Sequence, residues 1–203
     1  MITGLRPETF ENLQTNAGAF LKNFDWTKYT TVEELETAVI EMLEAGGENV
    51  PGATVGGGSF QCTPSMRNIE ADGMRYPIVG STVNDMWTVK LTGTMKEVTP
   101  QNFKDAIASA EMTQNDERTI TTLKVRTDIE EGDYIPKLCW VGDTSKGFVL
   151  IELDNALNVS GATLTFTDRG EGSIPFEFQA HHKSLAVMKY APVTIVFFDQ
   201  QAA

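Results

Sequence analysis

The 203-residue sequence reads as a mainly β protein with minor α, an antiparallel sandwich or partial barrel flanked by one or two helices. Three observations point there. Most segments alternate apolar and polar residues, the period-2 signature of a half-buried strand. Short turn-rich stretches join them in hairpin fashion, and only two stretches carry helical spacing. The regular strand–helix–strand alternation of a parallel sheet is absent. The length suits one domain with a real core. We divide 1–203 into an N-terminal segment with an acidic helix (1–47), a glycine-rich loop (46–58) and a β core (59–198) with a short helix near 100–111.

The clearest helix is TVEELETAVIEMLEA at 31–45. Thr31 and Glu34 have the spacing of a capping box, each side chain accepting from the other's backbone N–H. Leu35, Val39, Met42 and Leu43 form an apolar stripe, five glutamates between 33 and 44 form an acidic face, and Gly46–Gly47 stop the helix. GGENVPGATVGGG then reads as a mobile or irregular loop. In the strand that follows, Phe60, Cys62 and Met66 share one parity, and Gln61, Thr63, Ser65 and Arg67 the other. Pro64 places this strand at an edge or a kink.

After a long connection, MWTVKLTGTMKEV alternates cleanly. Trp87, Val89, Leu91 and Met95 face one way, and Thr88, Lys90, Thr92, Thr94 and Lys96 the other. Thr99 as N-cap and Pro100 as N1 predict a second helix through about residue 111. MTQNDER reads as a polar loop and ITTLKVRTD as a half-polar strand. YIPKLCWV and GFVLIEL flank a six-residue hairpin loop, GDTSKG. ALNVSGATLTFT and SIPFEFQAHH flank a second loop, DRGEG, with a bulge near Gly161 where the apolar parity switches. APVTIVFF predicts a last, mostly buried strand, for seven or eight strands in all.

Charge and composition exclude several functions. The net charge is −12, with a pI near 4.6, and such a chain repels nucleic-acid phosphates instead of gripping them. Residues 1–50 hold three Lys/Arg against nine Asp/Glu, so the acid concentrates around the first helix. No run approaches the ~18 apolar residues of a membrane span, and MITGLRPETFENLQ lacks the basic and apolar parts of a signal peptide. The expectation is a cytoplasmic origin and no membrane partner. Cys62 and Cys139, the only cysteines, read as two buried free thiols.

Catalytic and metal-binding patterns are missing. His181 and His182 are adjacent, so on a strand they point to opposite faces and cannot share a metal. Glu130–Glu131 sits in a turn with no apolar pocket to raise a pKa. The GGG of 56–58 lacks the lysine and the helix of a phosphate loop. Trp26, Trp87 and Trp140 lie in apolar contexts and read as core, not as sugar-stacking platforms. The expectation is no enzyme activity, no metal and no cofactor.

Three stretches together carry a resemblance: GGGSFQCTPSMRNIEADGMRYPIVG, NDMWTVKLTGTMKEVTPQNFKDAI and GFVLIELDNALNVSGATLTFTDRGEGSIPFEFQAHH. In that order and spacing, over most of 50–185, the chain resembles the major tail protein (tail tube protein) of long-tailed bacteriophages, siphophage type. The resemblance implies a structural virion protein, made in the host cytoplasm and resident in the tail. Six subunits would form a ring with a continuous β-barrel around a lumen, and the rings would stack into the tube. Its partners would be itself, the tape measure protein and tail terminator or tip proteins, with DNA passing through the lumen without specific binding. Gln61, Thr63, Ser65, Thr88, Thr92 and Thr94 become the candidate lumen-facing residues. Gly46, Gly47, Glu48, Asn49, Val50, Pro51, Gly52, Gly56, Gly57 and Gly58 become a candidate inter-ring loop. Lys90 and Lys96 share the polar parity, so either they pair with acids or that parity does not face the lumen. Two alternatives stand beside this reading. One is a tube protein of a contractile tail, tailocin or other injection system; the other is a monomeric β-sandwich binding module for sugar or protein.

Overall fold

A computed structural model describes residues 4, 6, 9, 13–115, 117, 119–166, 168–185 and 189–199. Among these, nine strands and two α-helices form in the order β1 (Ala19–Lys22), α1 (Val32–Ala45), β2 (Ser59–Asn68), β3 (Thr82–Met95), α2 (Pro100–Ile107), β4 (Ala110–Gln114), β5 (Thr121–Val125), β6 (Ile135–Thr144), β7 (Gly147–Asn158), β8 (Ile174–Gln179) and β9 (Val193–Asp199). Short 3-10 turns form at Trp26–Lys28 and Glu131–Asp133. Seven strands form one antiparallel sheet in the order β1-β6-β7-β8-β3-β2, with β9 also on β7, while β4 and β5 form a separate hairpin. The large sheet is open, so the single chain does not close a barrel among the described residues.

The sheet folds back on itself at β7. Gly147–Leu153 pair with β9, and Leu157–Asn158 pair with β8. Between them Asn155 takes a left-handed backbone (φ 44°), and its side-chain amide donates to the His181 carbonyl at 3.1 Å. One half of the sheet is thus β1-β6-β7-β9, the other β8-β3-β2. Phe20, Leu138, Ile151 and Leu153 from the first half meet Val89, Leu91, Met95, Ile174, Phe176 and Phe178 from the second in one core. Each fully buried Leu, Ile or Phe there stabilises the fold by about 1.5–3 kcal/mol.

Strand alternation then requires a cover for the other face of β6 and β7. Leu21, Cys139, Val141 and Leu150 point that way, and α1 lays Leu35 and Val39 on them, with Phe24 between. The capping box at Thr31 and Glu34 forms as the sequence predicts: Glu34 N–H donates to Thr31 Oγ1 at 3.2 Å, and its carboxylate accepts from the N–H groups of Thr30 and Thr31. Leu43 stays exposed at the edge of the stripe. The second helix is fixed by Thr99 and Pro100 as predicted, but it ends at Ile107. A buried ion pair, Lys22 Nζ to Asp105 Oδ2 at 2.6 Å, ties α2 to β1.

Several expectations change. There are more strands than seven or eight because β1 is only four residues long and β4 lies where a polar loop was predicted. The loop between β6 and β7 shrinks to Ser145–Lys146, since Thr144 already pairs with Gly147. The strand through ALNVSGATLTFT stops at Asn158, whose side chain turns inward to donate to the Ala106 carbonyl at 2.6 Å. Beyond it, Thr165 and Ser173 form an isolated bridge. Cys139 is buried, but Cys62 is exposed. Trp140 packs against the core, whereas Trp87 is 45% exposed.

Candidate assembly surface

β2 and β3 form a ribbon that begins inside the fold and ends outside it. The face shared by Phe60, Cys62, Pro64 and Met66 on β2 with Trp87, Val89 and Leu91 on β3 starts in the core, where Leu91 is 2% exposed. Toward the tip it emerges: Trp87 is 45% and Met66 60% exposed. β8 covers β3 only over Lys90–Met95. From Thr82 to Thr88 the only strand partner of β3 among the described residues is β2, and β2 pairs only with β3 along its whole length. About 20 Å of two-stranded ribbon, at ~3.3 Å per residue, therefore carries open hydrogen-bonding edges on both sides. A register shift between Ser65 and Met66 twists it further, and Arg67 meets Asp85 there at 2.9 Å.

The opposite face of this ribbon gathers all six candidate lumen residues. Gln61 stands across from Lys90, Thr63 across from Thr88, and Ser59 across from Thr92, with Thr94 on the same parity. Gln61, Thr63 and Ser65 are exposed, and Thr88, Thr92 and Thr94 half-exposed. The face extends onto β8, where Thr92 neighbours Glu177 and Lys90 neighbours Gln179. Each cation on it has an acid partner. Lys90 Nζ meets Glu177 Oε1 at 2.6 Å, Lys96 pairs with Glu171, and Arg67 pairs with Asp85. A hydrogen bond and the charge of Lys96 hold the Glu171 carboxyl below its usual range. The Arg67 and Lys96 pairs are solvent-exposed on at least one side and add little stability, whereas Lys90–Glu177 is half-buried. What they do is cancel charge: Lys90 and Lys96 both pair with acids.

The glycine-rich segment at 46–58 runs along the fold. Gly46 and Gly47 turn the chain out of α1 with φ 62° and 87°. The Asn49 carbonyl accepts from Lys22 N–H, and the Pro51 carbonyl accepts from the side chain of Asn102 at 2.8 Å. Ala53 N–H donates to Glu97 Oε1 at 2.9 Å, while Lys96 N–H donates to the Ala53 carbonyl and Val55 N–H to the Thr94 carbonyl. Residues 53–55 thus continue along β3 in the lane that β2 occupies further on, with Thr54 opposite Met95. Gly56, Gly57 and Gly58 are the break between the two pairings. Gly58 has to be glycine: a Cβ there would collide with the Thr92 carbonyl oxygen.

Sequence reasoning missed a second exposed apolar area. β9 is an edge strand on β7, and its register places Ile195 beside Ile151 and Phe197 beside Val149. The β8-β3-β2 half does not reach that far, so Ile195 is 46% and Phe197 67% exposed. A cavity of about 280 Å³ is lined by Phe20, Phe60, Leu91, Trp140 and Ile151 together with Gln14 and Asn16, and reaches β7 at Ile151 but not Ile195 or Phe197. The Trp140 indole lies across Gly142, where any Cβ would strike the ring, and its Nε1 donates to the Ala17 carbonyl at 3.0 Å. Because β9 is apolar on both parities, its sequence looks like a fully buried strand and gives no sign of an exposed face. His181 stacks edge-on against Tyr134 at 5.3 Å, next to the β7 bend. No protein-family model matches the chain, and no curated protein matches its sequence.

Proposed function

We propose that the chain is a structural, self-assembling subunit of a phage-type tail tube, with no enzymatic role. The observation that carries this reading is the β2–β3 ribbon, which leaves its own core with both edges unpaired and an apolar face uncovered. Long open edges are a liability for a monomer, and pairing them around a ring removes it by closure. Six copies would then make one barrel lined by Gln61, Thr63, Ser65, Thr88, Thr92 and Thr94. Those six side chains are small and polar, with Met86 across from Ser65 the exposed apolar exception, and the cations on the same face are paired, which suits DNA passage: repeated unpaired lysines would hold phosphates through counterion release. The tape measure protein and the terminator or tip proteins enter as partners of the same tube, a siphophage type being favoured over a contractile tail or tailocin by the resemblance alone.

A second reading, a monomeric module that binds sugar or protein, is favoured by the exposed rings of Trp87 and Tyr76, the latter 80% exposed. Negative-stain electron microscopy of the purified protein across a concentration series separates the two. Hollow tubes or rings of uniform width are the expected result; a monomer that persists at millimolar concentration overturns the tube reading.

A further inference from the structure

Resting on the tube-subunit reading, we propose that the exposed shelf on β9, Ile195 and Phe197, is the seat for the apolar ribbon face, Pro64, Met66 and Trp87, of a second copy. The two patches are the large uncovered parts of the same interior. The ribbon face continues the row of Val89 and Leu91, and the shelf continues the row of Trp140 and Ile151 across to Ile195. Within one chain the rows pack together in the core and then part. A neighbour that repeats the same sheet-on-sheet packing covers both overhangs with side chains already suited to each other.

The patches differ in composition and place, so the contact is head-to-tail: each copy gives its ribbon to one neighbour and its shelf to another. Such a heterologous contact builds rings or filaments, not an isolated pair. The available area agrees. Trp87 and Phe197 keep on the order of 100 Å² apiece of the ~150–250 Å² that such rings can bury. With Met66 and Ile195 added, one contact falls short of the ~800 Å² per partner of a stable two-body interface. It needs edge pairing and ring closure to hold.

The native exposed Cys62, on the ribbon face two residues from Pro64, supplies the test. Full-length Phe197→Cys and Ile195→Cys variants are treated under assembly conditions with a short bismaleimide and run on a denaturing gel, with electron microscopy of the same sample. The expected result is a ladder of covalent species beyond the dimer, lost when Cys62→Ser is added. Rings or tubes that assemble normally yet give no ladder overturn this contact and leave the tube reading standing. A ladder that stops at dimers, or that forms equally without an added cysteine, also overturns it. Failure of the unmodified protein to associate at any concentration overturns both. Because Phe197 is two-thirds exposed, Phe197→Ser should still fold, with only a small drop in its unfolding midpoint, while raising the assembly threshold at least 5-fold; an unchanged threshold counts against the contact.

Discussion

Leu91 and Met66 lie on the same face of the same ribbon, yet the structure assigns them different work. Leu91 is 2% exposed and Met66 60%. Truncating a buried leucine to alanine costs about 2–5 kcal/mol through lost transfer energy and a cavity, so Leu91→Ala should lower the unfolding free energy by that amount. A fully buried methionine side chain is worth about 1.5–3 kcal/mol. With 60% of Met66 still exposed, the fold has taken only about 0.6–1.2 kcal/mol of that. The remaining ~1–2 kcal/mol is realised only when another copy covers the residue. Met66→Ala should therefore cost the monomer about 1 kcal/mol or less and raise the assembly threshold roughly 5- to 30-fold. Urea unfolding at low concentration, compared at constant slope, measures the first quantity. Sedimentation velocity over a concentration series measures the second. If Met66→Ala destabilises the monomer as much as Leu91→Ala, or assembles at the wild-type threshold, the ribbon face is not an assembly surface.

Three more outcomes follow from individual sites. Asp105→Asn leaves Lys22 buried without its anion and should cost about 3–5 kcal/mol, lowering Tm by about 2–4 °C per kcal/mol. The Lys22→Met/Asp105→Leu double variant should regain most of this, and a single-variant loss under ~1 kcal/mol in thermal unfolding refutes the assignment. The Glu34 carboxyl is held below its ordinary value of 4.5, first by the Thr30 N–H, then by the Thr30 hydroxyl and the Thr31 N–H. Its contribution is present above about pH 4.5 and fades as pH falls through the lowered value. Between pH 6 and 3 the wild type should thus lose more stability than Glu34→Gln by urea midpoint; parallel curves would sink this. Finally, burial first and the Glu152 carboxylate second push the Cys139 thiol well up, whereas Cys62 is exposed. A thiol reagent should label one cysteine quickly in native protein and the second only on unfolding; two fast labels refute it.

The fold was legible wherever one local signal outweighed the rest. Thr31 with Glu34, and Thr99 with Pro100, start helices by local hydrogen bonding, and the structure has both caps. β2 and β3 alternate so clearly that their pairing face follows from parity. What was not legible depended on distant partners. β1 is four residues long and becomes a strand because β6 offers it an edge. The residues after Asn158 keep an alternating pattern but lose their neighbour where Asn158 turns to α2. Cys62 and Trp87 carry the sequence marks of core residues. Only the length of the ribbon relative to β8 puts them outside it, and no window of sequence around either residue contains that length.

The same point bears on the glycines at 56–58. In isolation they suggest a loop, because glycine reaches left-handed backbone at little cost, and Gly56 and Gly57 do so with φ of 76° and 72°. Yet the flanking segments both lie against β3, one ahead of the glycines and one after. Two left-handed residues between two pairings on the same strand do not send a loop away. They let one lane of the sheet stop and restart, while Gly58 passes the Thr92 carbonyl at a distance that excludes a side chain. The ribbon is thereby anchored at its base over 53–60 and free at its tip. A rigid base with an overhanging tip is the arrangement an arm needs if it is to reach a neighbour without dragging its own core along. Replacing Gly56 and Gly57 by alanine would strain the joint without removing any exposed apolar side chain. It should lower monomer stability while leaving the tip chemistry, and with it the reactivity of Cys62, unchanged. A change in Cys62 labelling without a stability loss would mean that the joint steers the arm instead of anchoring it.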